Sequence, residues 1–309
     1  MSLFALIAAL LLEQLHPLSS RKYQQAWQSA YVAFFQHHFN AGKRKHGKIA
    51  WFLAVLPLLA CVIAIYWLLY YAHPWLAFLF NVLVLYLIMG FRRFSHFFTD
   101  IHHALRDDNL EEARVLLSSW RGTSTRELNA GEVARLAIEE ALIASYRNVF
   151  GVILWFVLFS AIGLGGAAGA LLYRLGQWLH SCWCHEELGE FGDFAAKAYY
   201  VLEWLPLRMT AATFAVVGDF EDTVYCWRTQ ALSWPDSEVG ILLASGAGAL
   251  GVRLGMPIPQ DGRLLDRPEL GVGDDADVDY LRSTTGLVWR SVVFLLILLL
   301  LLTLASLLS

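Results

Sequence analysis

Charge is what this chain has least of. Only 16% of its 309 residues are Asp, Glu, Lys or Arg, 57% are hydrophobic, and its mean hydropathy is +0.49. Soluble domains carry about a quarter charged residues, so an ordinary soluble protein is excluded and an integral membrane protein is indicated. Acidic residues are missing altogether between Glu13 and Asp100, whereas the region after Cys184 is rich in them, although the net charge is −4. The basic part of the chain is therefore the part nearest the membrane. Cysteine is also scarce. Cys61 falls in an apolar run, and Cys182, Cys184 and Cys226 leave one over, which excludes a disulfide framework and favours a reducing compartment. The opening MSLFALIAALLLEQLHPL lacks a basic n-region and a small-residue cleavage site. That excludes a cleaved signal peptide and leaves a short anchoring helix, lying on or partly in the bilayer and ending at Glu13-Gln14. No nucleic-acid partner is expected.

What is present is mostly helical apolar sequence. Residues 19–48 carry Arg21, Lys22, Lys43, Arg44, Lys45 and Lys48, with Trp27, Tyr31, Phe34, Phe35 and Phe39 as the apolar side of an amphipathic helix. Basic flanks of this kind favour the cytoplasmic face, and His37 and His38 read as surface residues. Two apolar runs, 50–71 and 75–90, joined at Ala72-His73-Pro74, read as a transmembrane hairpin over 50–91. Lys48 before it and Arg92-Arg93 after it place Phe94 in the cytoplasm.

Residues 94–147 then form a cytoplasmic helical segment. Asp107-Asp108-Asn109 opens one helix, Gly122-Thr123-Ser124 breaks it, and Asn129 caps a second that carries Val133, Leu136, Ala137, Glu140 and Ala144 at helical spacing. A transmembrane helix is expected over 149–172. Its Gly165 and Gly169, four residues apart, give a face that another helix can approach closely. A polar segment, 174–285, follows, in which 199–217 is a candidate re-entrant helix and 240–251 a second stretch that crosses or dips in. A C-terminal transmembrane helix over 287–308 ends the chain. The fold class is all-α, a polytopic helical membrane protein with about four or five transmembrane or re-entrant helices.

Motifs with chemical content are few. His180, Cys182, Cys184 and His185 crowd into six residues, but zinc sites draw on two separated pairs and haem attachment wants two residues between its cysteines. No metal site is expected. Glu203 and Arg208, in a stretch apolar enough to enter a membrane, are candidates for a buried ion pair or a ligand-facing pair, or equally for an interfacial surface. Gly246, Gly248 and Gly251 match a dinucleotide fingerprint, but Gly255 and Pro257 interrupt the helix that should follow, so only a close backbone approach survives. Residues 257–279 read as a solvated acidic loop. Asp275, Asp277 and Asp279 mimic the start of a calcium loop whose later positions are wrong.

Segments spread over nearly the whole chain resemble a known family. Asn109 to Arg114, RGTST with LNAGEVARLAIEEA, GAAGALLYR, WLPLR, GAGALGVRLG and TTGLVWRSVVFLLILLLLL are similar to segments of the CobD/CbiB cobalamin-biosynthesis family. The opening apolar helix ending in Glu, LEWLPLR with VVGDFEDTVYCW, and NVFGVILWFVLF look like the related AmpE family, a membrane protein linked to beta-lactamase regulation. The resemblance implies one membrane domain over 1–309 in the bacterial inner membrane. For the first family it implies joining aminopropanol phosphate to a carboxylate of adenosylcobyric acid, with ATP and magnesium.

The acids that such a reaction implies are replaced. The family's Glu-Asn and following Asp fall on Ile143, Ala144 and Arg147, its next Asn and Asp on Gln177 and His180, and its acid pair on Tyr199 and Tyr200, with Glu203 in place of an Asn. The leading expectation is accordingly an AmpE-like regulatory or ligand-binding protein with a degenerate synthase site. The alternative is a divergent adenosylcobinamide-phosphate synthase using Glu139, Glu140, Glu203 and Arg208. Candidate ligand-binding residues are Glu139, Glu140, Arg147, Glu203, Arg208, Gly248, Gly251 and Arg253. Expected partners are the lipid bilayer, a corrinoid or cell-wall-derived ligand, and a second copy of the chain.

Overall fold

The structure is a computed structural model that describes residues 2–15, 22–40, 43–260 and 262–308. Arg21 and the start of the basic stretch lie outside the described residues, as do the side chains of Lys22, Trp27, Arg92, Arg93 and Phe94. The chain divides into two compact units, Met1–Gly90 with Gly151–Pro206, and Phe91–Phe150 with Leu207–Ser309.

The first unit opens with α1 (Ser2–Leu15), α2 (Lys22–Phe39), α3 (Arg44–Ala72) and α4 (Pro74–Ile88). The hairpin between α3 and α4 turns where the sequence expects it. Pro74 occupies the first turn of α4, where its missing N–H costs nothing, and the His73 ring accepts a hydrogen bond from the Trp75 amide at 3.3 Å. α1 packs on α4. Val32, Trp51, Val55, Leu179, Trp183 and Phe191 form a buried cluster, and Gly47 brings α3 against the Phe191 carbonyl, where a Cβ would stand 2.1 Å from the oxygen.

The helix expected over 149–172 is two helices in the structure. α8 (Gly151–Ala161) and α9 (Gly166–Trp183) fold back on each other around Gly163 and Gly165, whose φ angles of 77° and 84° belong to the left-handed region that ends helices. The glycine face is real, but its partner is this chain's own α8: a Cβ on Gly169 would lie 2.1 Å from the Trp155 carbonyl oxygen. Gly165, before α9, abuts the Tyr66 ring instead.

The second unit contains α5 (Phe91–Arg106), α6 (Leu110–Arg121) and α7 (Ala130–Ser145), the last running into a π-turn at Tyr146–Phe150. Its later part is α11 (Phe220–Thr229), α12 (Ser237–Leu250), five short strands and α13 (Val278–Leu308). α10 (Asp193–Val217), continuous through Pro206, contributes residues to both units. Local chemistry fixes the helix ends. Asn109 accepts from the Glu112 amide, Asn129 and Glu132 form a capping box, and Gly122 stops α6 at φ 73°. At 14 residues α12 is a short apolar helix about 21 Å long, and Glu238 and residues 240–249 are all buried against α11, α7 and α13.

The stretch read as an acidic loop is a small mixed sheet. β1 (Val252–Gly255) pairs antiparallel with β4 (Glu269–Leu270) and parallel with β5 (Asp274–Asp275), while β2 (Ile258–Gln260) and β3 (Arg263–Leu265) form a separate hairpin. Leu254 and Leu270 are buried. Two of the three acids of the calcium-like pattern have structural work: Asp275 pairs with Arg253 at 2.9 Å, and Asp277 accepts from the amides of Asp279 and Tyr280 to start α13. α13 thus begins at Val278, ahead of the expected Leu287.

Among the described residues three helical runs are long and apolar enough to cross a membrane: Arg44–Ala72, Ala130–Ala161 and Val278–Ala305. In α3 and α13 only 11% and 22% of the most apolar window is buried, so leucines such as Leu53, Leu68, Leu301 and Leu302 are left for lipid. α4, with 15 residues, covers about 22 Å of a ~30 Å hydrocarbon core. The helical segment expected to stay in the cytoplasm over 94–147 and the expected span after it therefore meet in one run, 130–161.

Candidate functional site

The charged residues singled out on α7 sit in the second unit, and the structure separates the structural ones from those with donors to spare. Glu139, 4% exposed, is held bidentately by Arg267, with Nη1 to Oε2 at 2.7 Å and Nη2 to Oε1 at 3.1 Å. Its Oε1 also accepts from the Gly255 amide at 2.9 Å. Arg267 donates further to the carbonyls of Gly255 (2.7 Å) and Met256 (3.1 Å) and lies 5.4 Å from the Trp234 ring centroid. A buried pair with both partners this fully hydrogen-bonded is a clamp. It ties α7 to the turn after β1, where Gly255 and Met256 hold φ angles of 74° and 63°.

The next residue, Glu140, pairs with Arg121 at 3.1 Å, bringing the end of α6 to α7. Arg147 lies in the π-turn, electrostatically within reach of Glu140. Arg135, one turn before Glu139, is different. Its Nη1 donates to the Met256 sulfur, a weak acceptor, at 3.3 Å, and its Nε is buried without a hydrogen-bond partner among the described residues. The sequence offered no signal for Arg135 beyond its place one turn from Glu139.

The glycines are structural. A Cβ on Gly248 would meet the Asp222 carbonyl oxygen at 2.5 Å, so this residue lets α11 and α12 touch. Gly246 faces the Leu142 side chain within α12, where a dinucleotide site would need a strand and a turn. Gly251 ends α12 at φ 66°, and its carbonyl accepts from the Asp274 amide and the Tyr280 hydroxyl, both at 3.2 Å. Arg253, on β1, is engaged by Asp275 (2.9 Å) and more loosely by Glu269 (3.7 Å).

Arg208 pairs with Glu238, at 3.2 Å. Glu203 belongs to the first unit and Arg208 to the second. In the first unit, Cys184 Sγ lies 3.2 Å from His180 Nδ1, and His180 stacks on Tyr199 at 4.8 Å. Among the described residues no three His, Cys, Asp or Glu side chains come together as a metal site would require.

Arg267, Arg121 and Glu238 were not distinguished in the sequence. Each finds its partner far along the chain, 128 positions in the case of Arg267 and Glu139, and no local spacing encodes such a pair.

The profile of the family described as CobD/Cbib protein matches residues 6–288. The chain is 35% identical over 307 residues to the cobalamin biosynthesis protein CobD of Stutzerimonas stutzeri, covering 97% of this chain and 98% of that one. It is 35% identical over 226 residues to the protein of the same name from Chromobacterium violaceum, covering 72% and 65% of the two chains. It is 26% identical over 279 residues to the cobalamin biosynthesis protein CbiB of Salmonella arizonae, covering 85% of each. No solved structure matches. These similarities back the cobalamin reading of the sequence over the AmpE-like one, which they do not support.

Proposed function

Since this chain belongs to the CobD/CbiB family, we propose that it is a multi-pass protein of the bacterial inner membrane that serves cobalamin biosynthesis. The proposed reaction is the ATP-dependent attachment of aminopropanol phosphate to a carboxylate of adenosylcobyric acid. The observation that carries this reading is 35% identity over 97% of the chain to a relative named for that pathway. The basic residues Lys43, Arg44, Lys45 and Lys48 at the start of α3 support a cytoplasmic start for that helix.

Every reactant in this chemistry is anionic, so the protein must supply cations to hold phosphate and carboxylate groups together. Arg135 suits that task because it keeps a buried Nε without a hydrogen-bond partner and forms no ion pair among the described residues, whereas Arg267 is held by Glu139, and Arg253, whose Nε is likewise unpartnered, is already paired with Asp275 and Glu269. Glu140 and Arg147, at the end of α7, are the neighbouring polar candidates. Glu139 is assigned to structure. Both Glu139 oxygens are already hydrogen-bonded, so this carboxylate is not the ready ligand for the magnesium that the resemblance implies.

Complementation of a corrinoid auxotroph lacking its synthase tests the reading. Rescue by the wild-type chain is the expected outcome, with loss of rescue in Arg135→Ala at unchanged membrane abundance. The replaced acids at Ile143, Ala144 and Arg147 favour one second reading, a ligand-binding member without catalysis. Failure of the well-expressed wild-type chain to rescue would select it.

A further inference from the structure

The face of α13 toward α5 has a use that the reaction above does not absorb. A cavity of about 310 Å³ lies between the two helices, with Thr99, His102 and Arg282 at one end and Phe98, Thr285 and Trp289 at the other. Those last three residues also line a second, narrower cleft that continues along α13 past Ala141 and Val288. Beyond it the same helical face carries Val293 and Ile297, four and eight residues after Trp289, which are 48% and 52% exposed. One continuous path therefore runs from a polar, cationic mouth to an apolar track on a membrane-crossing helix.

Charge at the mouth is predominantly positive. The groups that face His102 electrostatically are His103, Arg106 and Arg282, with Asp279 as the single acid among them. Neither Arg106 nor Arg282 forms an ion pair among the described residues. Burial and these cations lower the His102 pKa, so the ring serves chiefly as a neutral hydrogen-bonding group. Arg282 lies nine residues, about 13 Å along the helix, before Ser291, where the uncharged apolar run begins, and Trp289 stands at the edge of that run, where an interfacial aromatic belongs.

We propose that this groove is a specific site for an anionic phospholipid, with the phosphate at Arg282 and His102 and an acyl chain lying along Trp289, Val293 and Ile297. The chemistry asked of the occupant is a phosphodiester head with net negative charge and a long apolar tail. A soluble phosphate meets only the first half of that description. The site is independent of whether the chain catalyses the proposed reaction.

The test is lipid binding by the purified full-length chain, delipidated in detergent and titrated with phosphatidylglycerol or phosphatidylcholine while bound lipid is counted by native mass spectrometry. The wild-type chain is expected to prefer phosphatidylglycerol, and Arg282→Gln to reduce that preference about fivefold, the worth of one interfacial arginine. Gly286→Leu is the second variant. A Cβ at Gly286 meets nothing within 4 Å, so the substitution fits the fold while its side chain fills the cavity, and it should weaken binding of both lipids. Equal binding of the two lipids by the wild-type chain, or a preference unchanged in Arg282→Gln and binding unchanged in Gly286→Leu, would overturn the proposal. So would full displacement of phosphatidylglycerol by inorganic phosphate, which would make the groove a site for a soluble anion.

Discussion

The two units are held together by different means. The first relies on close backbone approach and apolar contact: Gly169 against Trp155, Gly47 against Phe191, and a cluster of Trp51, Trp183 and Phe191. The second unit adds ion pairs, Arg208 with Glu238 and the buried Arg267 with Glu139, and through the latter ties its short strands to α7. The contrast shows how packed helices and a sheet of short strands reach the same end. Where water is absent, small residues replace hydrophobic driving force. Where a sheet of two- to four-residue strands must be fixed, charged hydrogen bonds set its position.

Breaking one partner of the clamp should have the largest effect. Glu139→Ala leaves the Arg267 guanidinium buried beside two carbonyls, and we expect a loss of about 3–5 kcal/mol, with the double variant Glu139→Ala/Arg267→Leu less damaged than the single one. Denaturant unfolding in detergent reads both, and equal damage in the two would show that the pair contributes packing alone.

In the first unit the matching intervention is Gly169→Leu, which must push α8 away from α9. Overpacking of this sort costs about 1–3 kcal/mol, visible as a lowered midpoint of thermal aggregation. A Gly169→Leu chain as stable as the wild type would mean that α8 and α9 do not pack at the distance described.

A smaller effect sharpens the comparison at a cap. Asn129 begins α7 with a capping box, so Asn129→Ala should cost about 1 kcal/mol while leaving α8 and α9 unaffected. Hydrogen exchange at the first turn of α7 would localise the loss.

The smallest effect is chemical rather than structural. Burial in the second unit pushes the Cys226 thiol up to about 11 from 9.0, with Asp222 adding to the shift. Below pH 9 that cuts its thiolate fraction roughly a hundredfold, so maleimide labelling at pH 8 should leave Cys226 unmodified in the folded chain and modify it after denaturation. Labelling of native Cys226 at an ordinary rate would place it outside the core.

The parts of the fold that the sequence revealed are those encoded by neighbours. Pro74 after His73, Asn109 and Asn129 before their helices, and the uncharged run after Arg290 each act within a few residues. The turn at Gly163 to Gly165 was hidden because glycine signals both a helix stop and a helix contact, and here adjacent glycines do one each. The sheet was hidden because strands of two to four residues leave no alternation to detect. At the candidate site, Glu139 and Arg253 stood out as charged residues near apolar sequence, but their partners Arg267 and Asp275 sat in what read as a loop. Arg135, a cation with an unused donor and no ion pair among the described residues, was passed over because an arginine on an amphipathic helix is ordinary until its surroundings are known.

The long reach of the Glu139 clamp also sets an order of events during synthesis. α7 leaves the ribosome 128 residues before Arg267 does, and the whole of Gly151–Pro206 is made in between. At a typical ~5–20 residues per second, Glu139 waits many seconds for its partner, longer than helix formation or collapse requires. The second unit is thus the last to close, and its completion coincides with the arrival of α13. A nascent chain halted before Arg267 would carry an α7 carboxylate exposed to other bases and metals, and engagement of the clamp marks when the emerging protein becomes a finished one.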